Sequence, residues 1–136
     1  MSTDQIRTGR HCVFKMHVHL VFVTKYRKKV FNNSILQSMQ EIFSNVCDGF
    51  DAELVEFNGE DNHVHLVVNY PPKYSVSVLV NSLKGVSSRY LRQDFKELQE
   101  YYWKGVLWSP SYFAGSCGGA SLDVLKRYIE NQNRPH

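Results

Sequence analysis

The chain has 136 residues, 43% hydrophobic and 21% charged, which is ordinary globular composition and excludes a disordered chain. Its length suits one domain large enough to bury a core. Lys and Arg number 16 against 13 Asp and Glu, and the net charge of +3 permits nucleic-acid binding without establishing it.

No apolar run approaches the roughly 20 residues of a membrane span, so no membrane partner is expected. Met1 to Arg10 is polar and lacks the apolar stretch of a secretory signal. Cys12, Cys47 and Cys117 form no CxxC pair, and their odd count and wide spacing fit reduced thiols in a cytoplasmic protein. A single domain over residues 1–136 is expected, with a sheet core over about 13–116 and a last helix over 121–133.

From Val13 to Thr24 apolar residues alternate, as in a half-buried strand. Phe14, Met16, Val18, Leu20 and Phe22 share one face, and Lys15, His17, His19, Val21 and Val23 the other. A basic turn follows, with Lys25, Arg27, Lys28 and Lys29. Ile35, Leu36, Met39, Ile42, Phe43 and Val46 recur at helical spacing, with Asn33 or Ser34 as cap and Gly49 at the end. Glu53 to Phe57 and His63 to Asn69 read as a hairpin around the turn-rich Asn58 to Asn62. Ser75 caps a second helix whose stripe is Val76, Leu79, Val80, Leu83, Val86, Tyr90 and Leu91. Leu107 to Phe113 reads as a short edge strand interrupted by Pro110. After the small-residue stretch Ala114 to Ala120, Ser121 caps a last helix with the stripe Leu122, Leu125 and Ile129, closed by Pro135. This order predicts an α+β fold, a ferredoxin-like βαββαβ antiparallel sheet with helices on one face plus a C-terminal helix. Such a fold hosts many functions and decides no chemistry.

Two groups of residues could do chemistry. His63 and His65 lie two apart on a strand, so both point away from the core while Val64, Leu66 and Val68 point into it. Together they make a partial metal site; taken alone they read more simply as exposed strand histidines. His17 and His19 have the same spacing, so spacing cannot choose between the pairs. Tyr128 and Gln132 lie one turn apart on the last helix. A phenol, with a pKa of about 10, is a weak nucleophile in neutral water. A divalent metal on the two histidines and the glutamine oxygen would ease its attack on a phosphodiester. The tyrosine would then carry one side of the break, a free hydroxyl would leave on the other, and rejoining would need no ATP.

In this arrangement His63-Val64-His65 resembles the HUH motif, and Tyr128-Ile129-Glu130-Asn131-Gln132 resembles a Y-x-x-x-Q signature. Both belong to the single-tyrosine HUH transposases, the TnpA type, of single-strand insertion sequences (the IS200-like family). Val23 to Lys28, Ser82 to Arg89, and Leu107 to Phe113 followed by Gly118-Gly119 look like further blocks of the family, in order, from about Val13 to Gln132. The resemblance implies an enzyme that binds hairpins in single-stranded DNA at element ends and cleaves beside them with Mg²⁺ or Mn²⁺. It implies a 5′-phosphotyrosine on Tyr128, a free 3′-OH, and His63, His65 and Gln132 as metal ligands. It also implies a homodimer in which the tyrosine helix of one subunit completes the site of the other; the stretch before that helix offers a glycine pivot.

The chain departs from the family in having Glu60, Asp61 and Asn62 before the first motif histidine, and both His17 and His19 where relatives usually keep one. At least one of these two is expected to be structural. Lys25, Arg27, Lys28, Lys29, Lys84 and Arg89 are the expected phosphate contacts. Tyr112, Phe113 and Trp108 could stack on bases or pack in the core. Two other readings stay open: a domesticated relative that processes repeated palindromic DNA, and a hairpin-binding protein without nuclease activity.

Overall fold

The alternation of Val18, Leu20 and Phe22 with His17, His19, Val21 and Val23 builds the strand around which the sheet is arranged. The computed structural model describes residues 7–8, 13–14, 16–102, 105–116 and 122–131. In chain order these form β1 (Arg7–Thr8), β2 (Val13–Phe14), β3 (His17–Val23), α1 (Asn33–Gly49), β4 (Glu53–Gly59), β5 (His63–Asn69), α2 (Val76–Asp94), α3 (Lys96–Tyr101), β6 (Phe113–Ser116) and α4 (Leu122–Asn131). The main sheet has the order β4-β5-β3-β6, and every neighbouring pair is antiparallel. This is the split βαβ arrangement, so the expected α+β, ferredoxin-like fold is the observed one. Among the described residues no helix is long and apolar enough to cross a membrane.

The period-two pattern divides the sheet into two faces. Val18, Leu20 and Phe22 of β3 join Val64, Leu66 and Val68 of β5 beneath α1 and α2. The helices contribute Ile35, Met39, Phe43, Cys47, Leu79, Val80, Leu83 and Leu91, all buried. Phe22 meets Phe43 and Trp108 edge-on, at ring distances of 5.9 and 5.7 Å. The opposite face carries a smaller cluster, Val21 and Val23 with Phe113, Tyr128 and Ile129, so α4 lies across the sheet from α1 and α2. One chain thus sandwiches its sheet between two structural helices and one helix that bears a tyrosine.

The first strand is shorter than the alternation suggested. Val13 and Phe14 pair with Arg7 and Thr8 in a separate ribbon, and the main sheet begins at His17. Met16, expected in the core, is 36% exposed, because it precedes the strand and gives only its carbonyl, to the Tyr70 N–H. The cap of α1 is Asn32, whose side chain accepts from the Ile35 N–H, one residue ahead of the expected caps. The cap of α2 is Ser75, as expected. Tyr90 is 43% exposed, and Ser87 and Ser88 are buried in its place on the α2 stripe. The strand expected over Leu107 to Phe113 starts only at Phe113, preceded by a single bridge between Trp108 and Thr24. Pro110 has no N–H for a ladder, and the Lys84 ammonium takes the carbonyls of residues 109–111. Ala114 to Ser116, expected in the pivot, are therefore strand. The rest of that stretch, with Cys117, Gly118, Gly119 and Ser121, lies outside the described residues, as do Cys12, Lys15, Gln132 and Pro135.

Candidate functional site

β5 is the third strand of the run and sits inside the sheet, so its backbone is held on both edges. Its register with β3 places His65 opposite Val21 and His63 opposite Val23. Both imidazoles therefore project onto the face that α4 covers, with ring centroids 5.1 Å apart. His63 Nδ1 lies 2.8 Å from Asn62 Oδ1. With the amide oxygen as acceptor, Nδ1 carries the proton and Nε2 keeps its lone pair. Glu60 Oε2 lies 3.5 Å from that Nε2. Asn62, where the chain departs from the family, thus orients the first histidine, and Glu60 supplies the nearby carboxylate. Adjacency in a hairpin is the only sequence signal for either role.

Burial lowers the pKa of His63, against the opposing charges of Glu60 and Asp61. His65 is pushed down to about 4, first by burial and then by the neighbouring His63 and His19. Both rings are therefore neutral near pH 7, the protonation state a metal ligand needs. The second pair divides by position. His19 is half-buried on the same face, its ring 5.6 Å from His65 and 6.4 Å from Phe113, with its pKa lowered by burial. His17 sits at the other end of the strand, opposite Asn69, with a buried Nε2 that has no hydrogen-bond partner. Among the described residues no group of three or more His, Cys, Asp and Glu side chains is close enough to hold a metal ion. His63 and His65 fit two nitrogen ligands of a site that needs a further donor, and Gln132, the expected one, is not among the described residues.

Tyr128 shares this face. Its ring lies 6.0 Å from Phe113, and its hydroxyl shares a 3.2 Å hydrogen bond with Ser111 Oγ. Burial raises the phenol pKa, and the Ser111 bond opposes the shift. An unbroken series of ring contacts runs from His63 through His65, His19 and Phe113 to Tyr128. The ends of this series are legible in the sequence, but the contact of Ser111 with Tyr128 is not, because it follows only from α4 folding back beside β6.

The basic turn lies at the His63 end of the sheet. Thr24 N–H donates to the Asn62 carbonyl, and Phe31 N–H to the Asp61 carbonyl. Tyr26 and Arg27 take left-handed backbone angles, φ 63° and 52°, which cost a non-glycine residue about 1–3 kcal/mol each. Surrounding bonds hold the turn: Thr24 Oγ1 donates to the Lys28 carbonyl, and Tyr102 OH to the Lys25 carbonyl. This conformation sends Arg27 Nη1 to the Glu130 carbonyl of α4, at 2.8 Å. Lys25 and Lys28 lie over the rings of Tyr26 and Tyr101, Lys29 is exposed, and Arg89 is exposed beside Tyr90. Lys84 is no free cation, since its Nζ donates to the carbonyls of Ser109, Pro110 and Ser111. Trp108 is buried, its Nε1 donating to Ser87 Oγ at 2.9 Å, so it packs in the core and offers no face to a base. Tyr112 and Phe113 are half-buried, whereas Tyr26 is 61% exposed.

Comparison with known proteins identifies the family. The family described as "Transposase IS200 like" matches residues 12–132. The ISDra2 transposase TnpA of Deinococcus radiodurans is 27% identical over 129 residues, which is 95% of this chain and 92% of that protein. The transposase for insertion sequence element IS200 of Salmonella typhimurium is 28% identical over 122 residues, 90% of this chain and 80% of that protein. A crystal structure of a candidate transposase from Deinococcus radiodurans R1 superposes with a TM-score of 0.85 at 30% identity, covering 95% of this chain and 99% of that one. A REP-associated tyrosine transposase bound to a REP hairpin shares the fold, with a TM-score of 0.53 at 10% identity, over 91% of this chain and 68% of that one. A family match along nearly the whole length, with relatives that cover most of it, makes this chain a member of the IS200-like transposase family.

Proposed function

We propose that this transposase binds hairpins in single-stranded DNA and cleaves and rejoins strands by transesterification at Tyr128. The observation that carries the proposal is that His63, His65 and Tyr128, far apart in sequence, occupy one face of one sheet. The phenol oxygen attacks the scissile phosphorus and gives up its proton. The bond from phosphorus to the 3′ oxygen breaks, and that oxygen takes a proton and leaves as a 3′-OH. Tyr128 then holds the 5′ phosphate, and reversal with another 3′-OH rejoins the strands. His63 and His65, with Gln132, would hold a divalent cation, Mg²⁺ or Mn²⁺, which when bound polarises the phosphodiester oxygens. Asn62 keeps Nε2 of His63 available as a ligand atom. Lys25, Lys28 and Lys29 would meet phosphates near His63, with Arg89 further out, and exposed Tyr26 would stack on a base; Arg27, also expected to contact phosphate, is engaged with the Glu130 carbonyl. The REP hairpin in the neighbour of the same fold supports the hairpin part of the reading. A homodimer with the tyrosine helix acting in trans is what the family resemblance implies; within one chain Tyr128 packs on its own sheet, and the same contacts would form on a partner's sheet if the helix exchanged.

The test is a denaturing gel with labelled single-stranded DNA from the flanks of the gene. A protein–DNA band that requires divalent metal is expected from the natural chain and absent from Tyr128→Phe and His63→Ala, with hairpin binding retained in both. Binding with no band under any metal would instead favour the hairpin-binding reading. Activity restored on mixing the two variants would place the tyrosine in trans; none would place it in cis.

A further inference from the structure

Lys84 and Ser111 are joined by a short path that ends on the tyrosine. Lys84 projects from α2, and its Nζ donates to the Ser109 carbonyl at 2.7 Å and to those of Pro110 and Ser111 at 3.3 Å. Three carbonyls use all three N–H donors of an ammonium. The same segment is tied at its start, where Ser109 N–H donates to the Val23 carbonyl at 2.8 Å and Trp108 Nε1 donates to Ser87 Oγ on α2. Pro110 fixes its own φ, which suits a segment that turns successive carbonyls toward one cation. At the far end, Ser111 Oγ meets the Tyr128 hydroxyl at 3.2 Å. A helix on one side of the sheet is thereby linked by hydrogen bonds through the 109–111 segment to a phenol on the other.

We propose that Lys84 and Ser111 are positioning residues for Tyr128. Lys84 holds the 109–111 segment against α2, and Ser111 aims the phenol oxygen. The inference rests on Tyr128 being the attacking group. It competes with the simpler role for Lys84, a contact to a DNA phosphate, and the two roles separate experimentally. A phosphate contact survives Lys84→Arg and contributes to the salt dependence of binding. A three-carbonyl cradle around a half-buried ammonium does not accept a planar guanidinium fork.

The experiment measures single-turnover formation of the covalent protein–DNA product and, separately, hairpin affinity across a salt series. The proteins are the natural chain, Ser111→Ala, Ser111→Thr, Lys84→Arg and Lys84→Met. Absence of product from the natural chain would refute the tyrosine reading itself, before any variant is compared. Given product, Ser111→Ala and Lys84→Arg should each slow its formation about tenfold, the scale of one lost orienting hydrogen bond. Hairpin affinity and its salt slope should stay at the natural values in both, and Ser111→Thr should recover most of the rate. Ser111 is exposed, so its two variants decide the matter even if substitution of Lys84 impairs folding. Natural rates in Ser111→Ala would overturn the proposal. So would a salt slope lowered by about one in Lys84→Met and restored in Lys84→Arg, which is the signature of a phosphate contact.

Discussion

Replacing Arg27 with methionine tests what holds the tyrosine helix to the sheet. The described contacts of α4 are few: Tyr128 and Ile129 on Val21, Val23 and Phe113, the Ser111 bond, and the bond from Arg27 Nη1 to the Glu130 carbonyl. A hydrogen bond from a charged donor is worth about 1.5–3 kcal/mol. Here the bond is exposed, and Arg27 Nε is buried without a hydrogen-bond partner, so two effects reduce the gain. A net of about 1 kcal/mol remains. Methionine keeps the Cβ and hence the strain of the left-handed turn, whereas glycine would relieve it and mix two effects. Loss of about 1 kcal/mol raises the opening constant of α4 about fivefold. Native-state hydrogen exchange should show that acceleration in the amides of α4, with α1 and β5 unchanged. Unchanged protection of α4, or an equal loss across the whole chain, would refute the latch.

Trp108→Phe removes the bond to buried Ser87 Oγ and leaves space among Phe22 and Phe31. It should cost about 2–3 kcal/mol, read as a lower denaturant midpoint at constant slope. Acid should destabilise the metal-free chain through its histidines. Burial, then the neighbouring His63 and His19, push the pKa of His65 down from the ordinary 6.5 to about 4, so between these values the unfolded chain binds more protons. The stability due to its neutral form is complete above 6.5 and is lost as pH falls to about 4. Because the ring is only half-buried, the loss from His65 is about 1–2 kcal/mol after allowing for solvent screening. His65→Asn should flatten that part of a stability–pH curve, and an unchanged curve would refute the assignment.

What could be read from the chain alone was whatever depends on local period. Alternation in β3 and β5 assigned their faces, and the pairing of His63 with His65 followed from the same rule. The helical stripes of α1 and α2 and the Ser75 cap were equally legible, because caps and stripes are set within a few residues. The short α3 carried too weak a pattern to be read. The 107–113 segment was misread because hydrophobic spacing does not show where carbonyls go, and these are taken by a lysine more than twenty residues away. Lys84 looked like any surface cation, and Trp108 like any aromatic, until burial distinguished them.

The reach of His19 to His65, of Asn62 to His63, of Arg27 to α4 and of Ser111 to Tyr128 was decided by tertiary structure. Each depends on strand order, register, or the side of the sheet on which the last helix lands. These are long-range choices, made by packing two apolar faces at once. Residue types and their periods state that the chain has a sheet with two histidines on one side. Only the folded sheet, by placing β5 next to β3 and laying α4 over Val21 and Val23 of β3, brings a tyrosine from the far end of the chain onto that same side.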